Sequence, residues 1–383
     1  MDFDQNDLNE NKPEDPAEPQ ETGPASVSPP SATPYNSPYN YPPRSISAAT
    51  GQRRSGWRIL WGVFTVFSIM GNLFLLVLLM GSVALIAAGG QQGGYHEKLD
   101  GGMGSQLIAR NVQATRNNEY LNIEAPEVIQ AIHQDYLNAG SDVLVTNTFG
   151  ASVLPLRKYE LDGQCERLNT VAASLAREVA GSEHYVLGDL GPCGDFLEPL
   201  GTVSTKQLYE SFRVQTEGLM NGGIDGFIVE TMTALDEISI AVEAAQSTGS
   251  DLPIFASLAF DFTPNGFKTM MGVDVATAIS RLISLGIDAI GFNCGTATLE
   301  QYVALGTDYC QVLEQLDRRI ALYAEPNAGK PEVVKGEVVY SATPELYAES
   351  LEQLYQGGIT ILGGCCGTTP AHIAAAADRL KTA

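Results

Sequence analysis

The distribution of hydrophobic and polar residues divides this chain into three parts with different patterns. Residues 1–56 contain ten prolines among Ser, Asn, Ala and Thr, with almost no aliphatic residues between them. Such a segment cannot bury enough apolar surface to offset the entropy lost on ordering it. We therefore expect residues 1–56 to form a disordered, Pro-rich tail.

The second part is almost wholly apolar and predicts a transmembrane helix over residues 57–88. Residues 59–96 contain no Asp, Glu, Lys or Arg, and the window 62–80 holds twelve Leu, Ile, Val or Phe residues. A bilayer is crossed by about 20 apolar residues, so this stretch favours an uncleaved anchor over a cleaved signal peptide. Residues 89–96 would then be a linker to the third part.

The third part alternates between strand-like apolar runs and amphipathic helical patterns. The eight predicted strands are 98–100, 142–146, 185–189, 226–230, 253–260, 289–294, 320–325 and 359–363. The eight predicted helices are 126–138, 168–180, 205–220, 235–248, 273–285, 299–316, 344–355 and 370–381. Eight strand–helix units in this length predict an α/β fold, a (β/α)8 TIM barrel over residues 97–383. A doubly wound open sheet is the alternative, but no Gly-x-Gly-x-x-Gly turn follows the first strand to support it.

The charge belongs mainly to the predicted barrel and argues against one class of partner. The chain has 22 Lys+Arg and 45 Asp+Glu, a net charge of −23, and 17 of the basic and 37 of the acidic residues lie in 97–383. Nucleic acids and anionic lipids are bound through clustered positive charge. We therefore expect no nucleic-acid partner.

The carboxyl ends of the predicted strands carry a coherent set of polar residues. In a barrel of this type the active site is formed at these ends, so the residues there are the first candidates for chemistry. They are Asp100, Thr146, Asp189, Glu230, Asn293, Cys294, Glu325, Asn327, Cys365 and Cys366.

Three of the six cysteines, Cys294, Cys365 and Cys366, fall at the ends of the sixth and eighth strands. Three thiolates at one rim, with no fourth protein ligand evident nearby, favour a zinc site with an open position. The alternatives are a pair of small buried thiols or a vicinal disulfide. Cys165, Cys193 and Cys310 have no such placement, and we expect them to be packing residues.

A zinc site of this composition favours a thiol as the substrate group, because coordination deprotonates a thiol that is mostly protonated at neutral pH. Glu230 and Asp100 then become candidates to bind a cationic group of the same substrate, such as the ammonium of an amino acid. The alternatives are a salt bridge at the barrel rim for Glu230 and a turn-capping carboxylate for Asp100.

At these residues the chain resembles the homocysteine S-methyltransferase family. The family's homocysteine-binding barrel is shared by betaine- and S-methylmethionine-dependent enzymes and by the first module of cobalamin-dependent methionine synthase. The matching stretches are LDGGMGS at 99–105, TNTFG at 146–150, VET at 229–231, GFNCG at 291–295, PNAG at 326–329 and GGCCGT at 363–368. Their order and spacing extend over the chain from about residue 98 onwards.

The resemblance implies a role for each candidate residue. The zinc ligands would be Cys294, Cys365 and Cys366, joined by the homocysteine thiolate as the fourth ligand. Asp100 and Glu230 would contact the amino group of homocysteine. Its carboxylate end would be received by Thr146, Gly101 and Gly102. Asn327 would belong to a loop near the pocket, within the substrate-binding set.

The implied reaction is the transfer of a methyl group to the thiolate of L-homocysteine, which gives methionine. Since the chain ends directly after the eighth predicted helix, we expect no folate or cobalamin module in it. A self-sufficient enzyme would use S-methylmethionine, S-adenosylmethionine or betaine. The alternatives are a homocysteine-binding subunit that receives the methyl group from a separate corrinoid or folate protein, and a membrane-tethered binding protein without turnover.

The predicted membrane orientation conflicts with this chemistry. Arg53, Arg54 and Arg58 precede the uncharged apolar stretch that begins at residue 59, and no basic residue follows before Lys98. The positive-inside bias therefore places the barrel outside the cytoplasm. Zinc thiolates are oxidisable there, and homocysteine belongs to cytosolic metabolism, so we expect a cytoplasmic reaction. Either the helix inserts the other way, or tight zinc binding protects the site, or the front segment is an accidental fusion.

Overall fold

The computed structural model describes residues 97–335 and 337–381. The predicted tail (1–56), membrane helix (57–88) and linker (89–96) lie outside the described residues. Among the helices of the described ranges, none combines the length and the apolar character needed to cross a bilayer.

The described part of the chain alternates between strands and helices as the sequence predicts. Its strands are β1 (Glu97–Lys98), β2 (Val143–Val145), β3 (Tyr185–Leu190), β4 (Gly226–Met232), β5 (Ile254–Leu258), β6 (Asp261–Thr263), β7 (Gly266–Lys268), β8 (Ala289–Asn293), β9 (Ala321–Glu325), β10 (Glu332–Val334), β11 (Glu337–Val339) and β12 (Ile361–Leu362). Its helices are α1 (Met103–Ala109), α2 (Leu121–Glu124), α3 (Pro126–Asn138), α4 (Val153–Arg157), α5 (Cys165–Ala180), α6 (Thr205–Gly222), α7 (Leu235–Gln246), α8 (Val275–Ser284), α9 (Leu299–Gln315), α10 (Pro344–Gln356) and α11 (Pro370–Leu380).

Eight of the strands form one parallel sheet that curls into a barrel. Their order is β1-β12-β9-β8-β5-β4-β3-β2, and every neighbouring pair is parallel. A single parallel bridge between Leu99 and Val143 links the two ends of the sheet. The predicted eight-stranded α/β barrel is therefore confirmed.

Two layers of apolar side chains hold the barrel together. The interior layer is formed by Leu99, Val143, Leu187, Ile228, Ala289, Ala321, Tyr323 and Ile361. A larger cluster lies between the strands and the surrounding helices. Because parallel strands share one direction, this packing brings all their carboxyl ends to one face, where the predicted site residues lie.

The long helices begin where their capping residues predict. Ser204 and Thr298 form capping boxes with Gln207 and Gln301 at the starts of α6 and α9. Such reciprocal bonds satisfy backbone donors that have no partner within the helix. These helices therefore start at fixed positions relative to the strand ends.

The loops after several strands contain elements that the sequence pattern did not predict. They are the short helices α1, α2 and α4 and the two antiparallel hairpins β6–β7 and β10–β11. Each is too short for a helical or strand period to be visible. These additions follow the carboxyl ends of strands, and two of them, α1 and β11, contribute residues to the lining of the central cavity.

Candidate active site

The three predicted thiols meet at the carboxyl ends of β8 and β12. Cys366 Sγ lies 4.0 Å from Cys294 Sγ and 3.9 Å from Cys365 Sγ. All three sulfur atoms lie within 4.8 Å of one another, and all three cysteines are free. Sulfur atoms about 3.8 Å apart are expected for tetrahedral zinc with Zn–S bonds of about 2.3 Å. The arrangement fits a three-thiolate metal site and excludes a vicinal disulfide in this structure.

Unusual backbone conformations turn the thiols toward one point. Cys294 has a φ of 54°, and Gly295 follows with a φ of 81°. A Cβ atom at Gly295 would lie 2.3 Å from the carbonyl oxygen of Phe260, so only glycine fits there. After β12 the chain turns at Gly367, whose φ is 79°. Glycine permits this turn directly after Cys365 and Cys366.

The buried side chain of Asn327 links the two cysteine loops. Its Nδ2 atom donates to the carbonyl oxygen of Gly295 at 2.9 Å, and its Oδ1 atom accepts from the backbone N–H of Cys366 at 3.1 Å. Asn327 is not among the described residues that line the central cavity. Both polar ends of the amide are therefore engaged within the protein, and a contact of Asn327 with the substrate stays a prediction.

A cavity of about 460 Å³ opens in front of the thiols. Five of its lining residues are acidic: Asp100, Glu119, Asp189, Glu230 and Glu325. Among the described residues that line it, none is Lys, Arg or His. A water-poor space bounded by carboxylates and thiols stabilises cationic groups.

The carboxyl groups of this cavity hold protons more strongly than exposed ones. Burial, and then neighbouring carboxylates, raise the pKa values of Asp189 and Glu325 well above the ordinary range. Burial is also the main cause that raises the pKa of Asp100, with a smaller contribution from Glu230. Burial, followed by the charge of Cys366, raises the pKa of Glu230 to about 8. A cationic ligand would favour the ionised forms of these groups.

Glu230 is positioned by a neighbour that the sequence interpretation did not assign a role. Asn293 Nδ2 donates to Glu230 Oε2 at 2.9 Å and to Thr231 Oγ1 at 2.7 Å. Asn293 Oδ1 in turn accepts from Thr231 N and from Ser257 Oγ, each at 2.9 Å. Within the described residues Glu230 forms no ion pair, so the rim salt bridge considered from the sequence is absent there.

Asp100 lies deep in the cavity, next to a buried histidine. Its Oδ2 atom accepts a 3.0 Å hydrogen bond from the backbone N–H of Val145, which joins Asp100 to the adjacent strand β2 rather than to its own turn. His133 Nδ1 lies 3.9 Å from the same oxygen. Burial lowers the pKa of His133 to about 4, which keeps its imidazole neutral. The carboxyl group of Asp100 therefore faces the cavity without a cationic partner.

The groups predicted to receive a substrate carboxylate have partners within the protein. Thr146 Oγ1 lies 2.6 Å from Thr148 Oγ1 and accepts from Asp189 N at 3.0 Å. Gly102 N donates to Thr368 Oγ1 at 3.0 Å. A Cβ at Gly101 would lie 2.7 Å from that same Thr368 oxygen, and one at Gly102 would lie 2.6 Å from the carbonyl oxygen of Cys365. Both glycines permit close packing of the β1 loop on the cysteine loop.

Several residues of the cavity could not be assigned from the sequence. Asp189, Asn293 and Glu325 stand at predicted strand ends, but nothing in the pattern gave them roles. Glu119 and Tyr340 reach the cavity from loops that carry no periodic signal.

The remaining cysteines lie away from the thiol cluster. The thiols of Cys165, Cys193 and Cys310 donate to the backbone carbonyl oxygens of Ala151, Asp195 and Gly357 at 3.1, 3.2 and 3.1 Å. Their positions agree with the packing roles expected from the sequence.

Comparisons with known proteins agree with this geometry. The family model described as homocysteine S-methyltransferase matches residues 99–380. Methionine synthase from Mycobacterium tuberculosis is 33% identical over an alignment of 304 residues, and the match covers 74% of this chain and 24% of that protein. Methionine synthase from Mycobacterium leprae is 31% identical over an alignment of 293 residues, and the match covers 72% of this chain and 23% of that protein. The chain therefore spans about a quarter of the length of these relatives.

A solved structure extends the likeness to the barrel as a whole. The metallated form of the homocysteine methyltransferase MmuM from Escherichia coli superposes with a TM-score of 0.61 at 25% identity. The match covers 77% of this chain and 99% of that one. Together with the match of the family model, this likeness shows that the chain belongs to the homocysteine S-methyltransferase family.

Proposed function

We propose that this chain is a zinc-dependent methyltransferase that methylates the thiolate of L-homocysteine and forms methionine. The observation that carries the proposal is the meeting of three free thiols from two strand ends, within 4.8 Å of one another, beside a cavity lined by carboxylates. The family membership of the chain supports the same reaction.

Cys294, Cys365 and Cys366 would hold the metal. Zinc supplies a Lewis acid that keeps a substrate thiol deprotonated at neutral pH. Asn327 fixes the two loops that carry these cysteines, so the thiols are arranged before a ligand arrives. The thiol proton leaves to solvent, and no protein base is required for the transfer itself.

Asp100 and Glu230 would bind the ammonium of homocysteine. Both carboxyl groups line the cavity, and the pKa of each is raised, so an ammonium group would promote their ionisation. In the transfer, the bond between the methyl carbon and the donor atom breaks, and its electron pair stays on the donor. A lone pair of the homocysteine sulfur forms the new C–S bond.

The acidic lining also supports a cationic methyl donor. S-methylmethionine, S-adenosylmethionine and betaine each present a positively charged sulfur or nitrogen. Carboxylates stabilise such a charge, whereas an anionic folate would find no Lys, Arg or His among the described residues that line this cavity. We therefore propose a small onium donor as the leading choice.

Exposed apolar side chains at the mouth favour a second candidate, transfer from a separate methyl-carrier protein. Ile108, Phe149 and Val338 line the cavity and are 80%, 41% and 58% exposed. Exposed apolar side chains at a cavity mouth can be buried when another protein binds there. The greater length of the related methionine synthases also supports a donor held on further protein.

One assay distinguishes three possibilities: an enzyme that uses a small onium donor, an enzyme that uses a methyl-carrier protein, and a protein that binds homocysteine without methylating it. The full chain is loaded with zinc and incubated with homocysteine and, separately, S-methylmethionine, S-adenosylmethionine, betaine or a methylated corrinoid protein. We expect methionine with an onium donor, and no methionine from the Cys294→Ser variant. Methionine only with the corrinoid protein would establish the second candidate. Zinc and homocysteine binding without methionine from any donor would overturn the enzymatic proposal.

For residues 57–88 we propose a membrane anchor, with the barrel on the cytoplasmic side. The proposal rests on the absence of Asp, Glu, Lys and Arg from residues 59–96 and on the thiol chemistry of the site. Protease treatment of sealed vesicles tests it. Digestion of the barrel in inside-out vesicles and its protection in right-side-out vesicles is the expected result, and the reverse pattern would contradict it.

A further inference from the structure

We propose that Tyr340 is a positioning residue of the thiol centre, and that its hydroxyl donates a hydrogen bond to the sulfur of Cys366. The inference rests on the proposed function, since it concerns the metal-bound state of that thiolate. It assigns a role to a residue that comes from the β10–β11 insertion and not from the end of a barrel strand.

The insertion after β9 brings Tyr340 against the loop of Cys366. Tyr340 directly follows β11 and is half-buried, whereas Val333, Val334 and Val338 of the hairpin are exposed. A Cβ atom at Gly367 would lie 2.3 Å from Cγ of Tyr340. The aromatic ring therefore packs directly on Gly367, which is the residue after Cys366.

A series of backbone hydrogen bonds fixes the segment that carries Tyr340. Ala342 N donates to Ala328 O at 3.1 Å, and Ala328 N donates to Cys366 O at 2.9 Å. On its other side the carbonyl oxygen of Ala342 lies 3.0 Å from Nε2 of His372, in the first turn of α11. The position of Tyr340 is thus set relative to Cys366 through Ala328 rather than by the exposed hairpin.

The phenol ring of Tyr340 lies beside the thiol cluster. Tyr340, Cys294 and Cys366 line the same cavity, and the Tyr340 ring packs on Gly367, the residue next to Cys366. The other thiols have different environments. Asn293 Nδ2 lies 3.9 Å from Cys365 Sγ, and the backbone carbonyl of Cys294 accepts from Tyr302. Among the described residues that line the cavity, Tyr340 is the only one with a phenol group.

A hydrogen bond to a metal-bound thiolate withdraws electron density from the sulfur. The metal then receives less charge from that ligand and remains a stronger Lewis acid toward the substrate thiol. We therefore infer that Tyr340 favours deprotonation of bound homocysteine. Outer contacts of this kind change metal affinity or activity by about 10- to 100-fold when they are removed.

The test compares Tyr340→Phe with the wild-type full chain loaded with cobalt(II), which reports on its thiolate ligands through a charge-transfer band. Phenylalanine keeps the ring that packs on Gly367 and removes only the hydroxyl. We expect the band to move to longer wavelength, zinc affinity in chelator competition to fall about 10-fold, and proton release on homocysteine binding to shift to higher pH. Tyr309→Phe is the matched control, because its hydroxyl donates to Gly291 O at 2.9 Å, away from the sulfurs.

The opposite change keeps the proposal testable if Tyr340→Phe folds poorly. Genetically encoded 3,5-difluorotyrosine at position 340 makes the hydroxyl a stronger donor, and we expect the band to move to shorter wavelength. If both variants bind metal and show an unchanged band and unchanged zinc affinity, the role of Tyr340 is overturned. The proposed function is not affected by that result. A wild-type chain that binds neither cobalt nor zinc would instead overturn the proposed function.

Discussion

The side-chain amide of Asn293 donates a hydrogen bond of 2.9 Å to Glu230, and the next residue in the chain is the cysteine at the end of β8. One amide therefore connects a cavity carboxylate with the loop that carries Cys294. The two residues come from β4 and β8, which are separated in the sheet by β5. The carboxyl group of Glu230 and the loop of Cys294 thus share one buried support.

Replacing Asn293 by Ala should disturb both stability and homocysteine binding. The change removes four hydrogen bonds, to Glu230, to both the backbone and the side chain of Thr231, and to Ser257. We expect the free energy of unfolding to fall by about 2–3 kcal/mol, because buried partners are left unsatisfied. Urea denaturation measures this, and calorimetry measures homocysteine affinity. Ser257→Ala removes only one of these bonds, and an equal effect of both variants would contradict the prediction.

Replacing Glu230 by Ala should weaken homocysteine binding and leave the metal in place. The carboxyl group lines the cavity but is not a member of the thiol cluster. We expect the dissociation constant for homocysteine to rise about 10-fold or more, as a charged partner of the ammonium is lost. Unchanged affinity in titration calorimetry would remove Glu230 from the binding site, while loss of zinc would show a structural role instead.

Glu230→Gln should change how the stability of the metal-free chain depends on pH. The folded-state pKa of about 8 exceeds the ordinary value of 4.5, so this group contributes stability below pH 4.5 that is lost as pH rises through 8. The glutamine variant lacks this loss, and its stability relative to wild type should rise with pH by at most about 1.4 kcal/mol per pH unit. Parallel urea-denaturation profiles from pH 5 to pH 8 would contradict the raised pKa.

The parts of the fold with a clear period could be predicted from the sequence. Helix α3 has the predicted bounds because Pro126 suits a first turn and the apolar positions recur at helical spacing. The three thiols could be placed together because a parallel barrel brings every strand end to one face. The ends of the sixth and eighth predicted strands, together with the order of the strands, were sufficient to infer that the thiols lie close together.

Other parts of the site depend on contacts that no local pattern encodes. Glu119 and Tyr340 enter the cavity from short elements in loops, where too few residues exist to show a period. The sequence placed Asn327 in a loop near the pocket, but it could not show that the amide joins Gly295 to Cys366. The side chain of an asparagine at a strand end can turn in either direction, and only the packed structure determines which.

Replacing the buried His133 by Leu should cost little stability. The imidazole is fully buried, and neither ring nitrogen has a hydrogen-bond partner among the described residues. Since an unsatisfied buried polar group is unfavourable by about 1–3 kcal/mol, its loss offsets the change in packing. We expect the free energy of unfolding to stay within about 1 kcal/mol of wild type. His372→Leu is the control, because that ring contacts Thr369 and Ala342 and its loss should be destabilising. A larger loss for His133→Leu than for His372→Leu would show that His133 has a partner.

Cys365→Ser should abolish stoichiometric zinc retention by the full chain. Cys365 Sγ lies 3.9 Å from Cys366 Sγ, and the backbone N–H of Cys365 donates to Pro326 O, so serine can keep the backbone in place. The variant replaces one of the three clustered thiols by a neutral hydroxyl, which is a much weaker zinc ligand than a thiolate. Metal analysis after dialysis against a weak chelator provides the measurement, and we expect less than about one tenth of the wild-type zinc. Cys310→Ser is the matched control, since that thiol lies on α9 and contacts Gly357 instead of the cluster. Full zinc occupancy in Cys365→Ser would refute the three-cysteine assignment, whereas zinc loss in both variants would point to a general effect of thiol removal.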